Sequence, residues 1–237
     1  MEKSTVAVLL SGGLDSAVLL ADEASRATAP DDVHPVYVSA GLAWEAAERD
    51  IVDRLLAAPP LAGRTAPLAS LSVDTRDVYA ASHWAVTGHP PSYHTPDEDV
   101  YLPGRNIVLL AKAGVYAAVA RLDRIVLGSL GHNPFPDATA DFRAAMARAL
   151  SLGLAHELQV DAPFAERSKA DVIRRGAQLR IPFELTLSCM NPVAALPTAL
   201  HCGVCSKCRE RHDAFLEAGL IDPTTYADVR FVDAPGA

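Results

Sequence analysis

The sequence predicts an α/β fold, a doubly wound and mostly parallel sheet followed by a small C-terminal cysteine module. Three observations carry this reading. Short apolar runs bounded by turn residues alternate with helix-patterned stretches. The first run closes on a glycine pair that leads directly into a helix. All four cysteines, Cys189, Cys202, Cys205 and Cys208, fall in one window of twenty residues.

Val6-Ala7-Val8-Leu9-Leu10 is wholly apolar, as a strand buried on both faces of a parallel sheet requires. Residues 15–27, rich in Ala and Leu, read as a helix. After the Pro30-Asp31-Asp32 turn, residues 33–38 read as a strand and 43–56 as a helix, giving two successive βα units. Residues 68–73 are expected to form a third strand. Residues 83–99, broken by Pro90, Pro91 and Pro96, are expected to be a long loop of the kind that often carries function. A helix over 106–122, a strand over 124–128, a helix over 142–153, a strand over 158–160 and a helix over 168–179 follow. A helix over 207–218 comes after the cysteines. The simplest division is an α/β domain at 1–187 and a cysteine module with its tail at 188–237.

The 237 residues carry 21 Lys and Arg against 29 Asp and Glu, a net charge of −8, and half are hydrophobic. That composition excludes a disordered, collagen-like or disulfide-knit chain. The acidic balance argues against a broad electrostatic grip on nucleic acid, which needs clustered cations. No apolar run approaches the roughly 18 residues of a membrane span. The chain therefore reads as cytoplasmic, with no membrane partner and no targeting segment.

Ser11-Gly12-Gly13-Leu14-Asp15-Ser16 sits where the first strand ends and a helix begins, the place where open α/β sheets bind ligands. Adjacent glycines let the backbone approach an anion, the helix N-terminus offers free N–H groups, and Ser11 and Ser16 add hydroxyls. The alternative is an ordinary strand-to-helix turn capped by Asp15. Neither G-x-x-x-x-G-K-[ST] nor G-x-G-x-x-G is present. Asp15 suits Mg²⁺ bridging phosphate oxygens better than a bare phosphate.

The spacing Cys189-x12-Cys202-x2-Cys205-x2-Cys208 offers four thiolates to one ion, the pattern of a closed structural Zn²⁺ site. Iron–sulfur is the competing chemistry. His201 is expected at the surface beside this knob. If all four thiols hold metal, none remains for sulfur transfer or for a glutaminase nucleophile. Arg105, just after Pro103-Gly104, can reach an anion from a helix N-terminus or simply flank a cap. Ser168-Lys169-Ala170-Asp171 reads as a capping box, and a lysine in a first helical turn hints at an anionic partner. Asp137 is a candidate base or a turn residue beside Pro136. His132 is expected at the carboxyl end of the sheet as a candidate substrate contact. The other histidines show no metal-ligand spacing.

The S-G-G-L-D-S stretch after an apolar strand resembles the pyrophosphate loop of the ATP pyrophosphatase (PP-loop) superfamily, with its adenine nucleotide α-hydrolase-like fold. With P-G-R-N at 103–106, F-P-D at 135–137, S-K-A-D at 168–171 and L-S-C followed by C-x2-C-x2-C, nearly the whole chain resembles the 7-cyano-7-deazaguanine synthase family. The resemblance implies an enzyme that adenylates the carboxylate of 7-carboxy-7-deazaguanine. Ammonia then displaces AMP to give an amide, and a second ATP-driven step gives the nitrile used in queuosine biosynthesis. It implies ATP and Mg²⁺ at Leu10, Ser11, Gly12, Gly13, Leu14, Asp15 and Ser16, and nucleotide or substrate contacts at Arg105 and Lys169. It further implies one structural Zn²⁺ on the four cysteines, and a homodimer.

Asp15, Arg105 and Lys169 are thus the expected catalytic residues, the cations offsetting charge at the attacked phosphorus. The chain departs from the family where Ala40-Gly41-Leu42-Ala43-Trp44 replaces a Tyr-Gly-Gln-Arg-His-like segment. It departs again at Phe135-Pro136-Asp137-Ala138-Thr139, where a Tyr-Pro-Asp-Cys-Arg segment is usual. Both segments are expected on the substrate side, where pocket polarity dominates discrimination. The departures keep three alternatives in view: a ligase for another carboxylate, a non-catalytic nucleotide-binding module, and a tRNA thiolase.

Overall fold

A computed structural model describes residues 5–131 and 133–230; His132 lies outside the described residues. Five parallel strands, β1 (Val6–Leu9), β2 (Val33–Ser39), β3 (Ala69–Ser72), β4 (Arg124–Val126) and β5 (Gln159–Asp161), form one sheet in the order β3-β2-β1-β4-β5. The helices are α1 (Leu14–Arg26), α2 (Glu45–Ala57), the single turn α3 (Trp84–Thr87), α4 (Arg105–Ala120), α5 (Ala140–Leu154), α6 (Lys169–Gln178) and α7 (Ser206–Ala218). The strand order reverses between β1 and β4, and the loops after these two strands open a crevice there.

The apolar continuity of β1 has its physical cause in this central place. Val6 and Val8 face a core shared with α1, α2, α6 and α7, while Ala7 faces a second core built with α4 and α5. Edge strand β3 alternates half-buried and exposed residues. Helix α6 starts on the expected capping box, with Ser168 Oγ accepting the Asp171 N–H at 3.1 Å. Helix α7 docks on the same core through Ala214 and Phe215, the latter edge-on to Phe183. Arg211, fully buried, donates to Thr186, Ser188, Thr224 and the Phe183 carbonyl, and so ties α7 to the segment after α6.

One expectation needs correction. Residues 83–99 are not wholly loop, because α3 forms with His83 Nδ1 accepting the Ala85 N–H at 3.2 Å and Gly88 ending it in the left-handed region. Buried Ala85 and the stack of Trp84 on Trp44 supply a tertiary reason that no local periodicity carries. Among the described residues no helix is long and apolar enough to cross a membrane.

Candidate active site

The crevice at the β1/β4 reversal opens into two adjoining cavities of about 620 and 270 Å³, both lined by Ser11, Gly13, Asp15, Glu48, Arg105, Gly128, Asn133 and Phe135. The glycine loop forms its floor. Gly12 adopts φ +73°, and a Cβ there would meet Ile51, Val52 and the Glu48 carbonyl at 3.2–3.3 Å, so both conformation and space require glycine. The loop holds itself: Ser11 N–H donates to Ser16 Oγ at 3.2 Å, Gly13 N–H to Ser11 Oγ at 3.3 Å, and Ser16 Oγ to the Gly13 carbonyl at 3.0 Å. Leu10 and Leu14 are buried beneath it. Gly13 caps α1 with no side-chain bond, and the first helical hydrogen bond is Ala17 N–H to Gly13 O. The N–H groups of Leu14, Asp15 and Ser16 therefore have no intrahelical acceptor and carry the positive end of the helix dipole.

Asp15 and Lys169, 154 positions apart in sequence, meet at the mouth of this loop. Lys169 Nζ lies 3.3 Å from Asp15 Oδ2 and 2.5 Å from Glu210 Oε1, while Lys207 Nζ lies 2.8 Å from Glu210 Oε2. Burial disfavours the Lys169 charge, but the Asp15 and Glu210 carboxylates outweigh it and hold the lysine above its ordinary value. Burial likewise opposes ionisation of Glu210, and Lys169 and Lys207 bring its pKa down to about 2. Asp15 is pushed up by burial, and its Oδ1 is buried without a partner. Glu210 escaped sequence reasoning, since nothing in its position on α7 announces a partner on α6.

Arg105 begins α4 after Gly104, and its guanidinium lies 5.9 Å from the Trp44 ring centroid with a buried, unpartnered Nε. Trp44 stacks on Trp84 at 5.6 Å and donates its indole N–H to Glu48 Oε1 at 3.0 Å. Glu48 Oε2 accepts from the Tyr37 hydroxyl at 3.3 Å. Burial pushes Glu48 up to about 7, against the pull of Arg105 and with Glu45 adding repulsion. Glu48 did leave a signal: it occupies a core position of α2 beside Ile51, Val52 and Leu55, an acid in an otherwise apolar stripe. Asp137, expected as base or turn residue, is buried and accepts the Asn106 N–H at 3.1 Å, which anchors the start of α4. Phe135 stacks on Tyr101 at 5.0 Å, so both departing segments do reach the cavities.

The four cysteines are buried, and their sulfurs all lie within 4.8 Å of one another. A tetrahedral ion with metal–sulfur bonds of about 2.3 Å has sulfur–sulfur edges of about 3.8 Å, so the set fits one ion more closely than a cluster that spreads its thiolates over several metals. Gly203 makes the knuckle, at φ +79°, where a Cβ would fall 1.9 Å from the Asp228 carbonyl oxygen. Backbone N–H groups of Asn191, Cys202 and Val204 point at cysteine sulfurs at 3.2–3.4 Å, as donors that orient and stabilise metal-binding thiolates do. His201 is no surface residue: it is buried, its Nε2 accepts the Ser188 N–H at 3.1 Å, and burial with the Arg211 charge lowers it to about 3. It stays neutral and outside the sulfur set.

The sequence matches known proteins over most of its length. A family model described as queuosine biosynthesis protein QueC matches residues 5–219. The chain belongs to the QueC family. The 7-cyano-7-deazaguanine synthase of Methanoculleus marisnigri is 34% identical over 92% of this chain and 96% of its own length. That of Anaeromyxobacter dehalogenans is 32% identical over 95% and 97%, and that of Thermoplasma volcanium 30% identical over 96% and 92%. A solved U34-tRNA thiolase, NcsA from Methanococcus maripaludis with its [4Fe-4S] cluster, aligns with TM-score 0.49 and 12% identity, covering 94% of this chain and 75% of that one. The chain is thus an enzyme of the QueC type, with a four-cysteine cluster able to hold a metal ion.

Proposed function

We propose that this enzyme is an ATP-dependent ligase that adenylates 7-carboxy-7-deazaguanine, condenses it with ammonia and carries the amide on to 7-cyano-7-deazaguanine. The observation that carries the reading is the uncapped N-terminus of α1 at the sheet reversal, faced by an orphaned Asp15 carboxylate oxygen and an orphaned Arg105 Nε across a cavity of about 620 Å³. The N–H groups of Leu14, Asp15 and Ser16, which have no intrahelical acceptor, bind the phosphates on the glycine loop of residues 10–16. The substrate carboxylate needs no base to attack the α-phosphorus, because it is already ionised. Lys169, held charged between Asp15 and Glu210, and Arg105 offset the negative charge that grows during attack. Mg²⁺, when bound at Asp15, neutralises phosphate charge. The test is incubation with ATP, Mg²⁺, ammonia and 7-carboxy-7-deazaguanine, followed by mass analysis. Amide and nitrile with one AMP per step are expected, and release of ADP and phosphate instead would sink adenylation.

The cysteine set is assigned to one structural zinc, in a C-terminal module at 188–237 appended to the ATP-binding unit at 1–187. The compact sulfur set favours this over an iron–sulfur cluster. Such an ion occupies every thiol of the chain, which argues against a sulfur-transfer reading. Metal analysis should give one zinc per chain with no visible chromophore. Chelator removal should lower the melting temperature by about 10 °C, as loss of a structural ion worth several kcal/mol implies.

A further inference from the structure

We propose that Glu48 is the proton acceptor of the amide-forming step, taking a proton from the ammonia nitrogen as it attacks the activated carboxyl carbon. This rests on the adenylation reading above. In the step, the C–N bond forms and the C–O bond to the phosphate breaks, its electron pair leaving with AMP. One nitrogen-bound proton passes to the Glu48 carboxylate and from there to solvent.

The placement singles out this residue. Glu48 is 8% exposed yet lines both cavities, the larger of which Lys169 also lines. Its competitors among the described residues are engaged or remote. Asp15 and Glu210 are ion-paired to Lys169, Asp137 anchors the Asn106 N–H, and Asp213 and Glu217 are solvent-exposed. Among the described residues Glu48 has no Lys or Arg at salt-bridge distance; it is held by two neutral donors, Trp44 and Tyr37, which fix its orientation and leave each oxygen a further lone pair. The charged and titratable groups around it are Arg105 from α4, Glu45 from α2 and Tyr37 from β2. Its titration near 7 matches the task, because a base is most effective when its pKa lies near the working pH.

The experiment separates the two half-reactions in the full-length, zinc-loaded enzyme. Carboxylate-dependent ATP–pyrophosphate exchange reports adenylation, and amide yield at fixed free ammonia reports the second step. In E48Q, amide formation should fall about 10²- to 10⁴-fold, the usual contribution of a general base, while exchange falls far less. In the unmutated enzyme, amide formation at fixed free ammonia should show an acid limb near pH 7 that exchange lacks, a readout that survives even if E48Q folds poorly. Parallel loss of both half-reactions in a folded E48Q, or an amide rate without that limb, overturns the assignment. Absence of any carboxylate-dependent exchange in the unmutated enzyme overturns the adenylation reading itself.

Discussion

At the turn between β1 and α1, Ser11, Gly13 and Ser16 lie within six residues and hold one another through backbone and hydroxyl hydrogen bonds. Elsewhere in the lining of the large cavity, Trp44, Trp84 and Arg105 come from three separate elements and are held by ring contacts and by Glu48. The first group is made of backbone, so it presents the same donors whatever side chains surround it. The second is made of side chains, so it can change its polarity without disturbing the sheet. In the proposed reaction the first group serves the phosphates, with Arg105 adding charge from the second, and the aromatic residues of the second serve substrate discrimination.

The sharpest way to break this comparison is at Lys169. K169A leaves Asp15 and Glu210 without their shared cation, and both exchange and amide formation should fall about 10³-fold, since a charge partner at the reacting phosphate is worth several kcal/mol. W84A should act on the aromatic group alone, raising KM for the carboxylate substrate about tenfold, in line with the loss of one aromatic contact, with ATP KM unchanged. Equal effects of W84A on both KM values would dissolve the division between the two groups.

A smaller effect is expected from pH. Glu48 has a folded-state pKa raised from 4.5 to about 7, first by burial. A raised acid contributes its full stability below its unfolded pKa and loses it as pH climbs through the folded one. The E48Q variant cannot ionise, so its melting temperature relative to the unmutated enzyme should rise between about pH 4.5 and 7 and then level off. The gain should be about 5 °C, measured by thermal scans across pH. A gap that stays constant with pH would mean that Glu48 is not buried as an acid. The smallest effect is at S168A, which removes the α6 cap beside Lys169. It should cost about 1 kcal/mol, read as a melting shift of about 3 °C, with exchange nearly unchanged.

Legibility followed locality. The glycine loop, the capping box at 168–171 and the four cysteines are each written in short spacings, and the central strand β1 shows a wholly apolar run. Glu48 shows in the α2 stripe only as an acid at a core position, which says that it is buried and not what it faces. Glu210 shows nowhere, because its partner lies 41 positions away. His201 misled because a histidine beside a cysteine knuckle looks solvent-facing until the packing of Tyr226 and Arg211 is known.

By itself the sequence determined the doubly wound sheet, the anion-binding turn after its first strand and the thiolate set, because periodicity, glycine placement and ligand spacing act within a few residues. Only the tertiary structure decided which charges meet at Asp15, that Asp137 anchors α4, that α3 forms, and that Glu48 and Lys169 line one cavity. Those outcomes depend on elements far apart in the chain being brought within hydrogen-bond or ring-contact distance, and burial then sets the protonation of what they enclose.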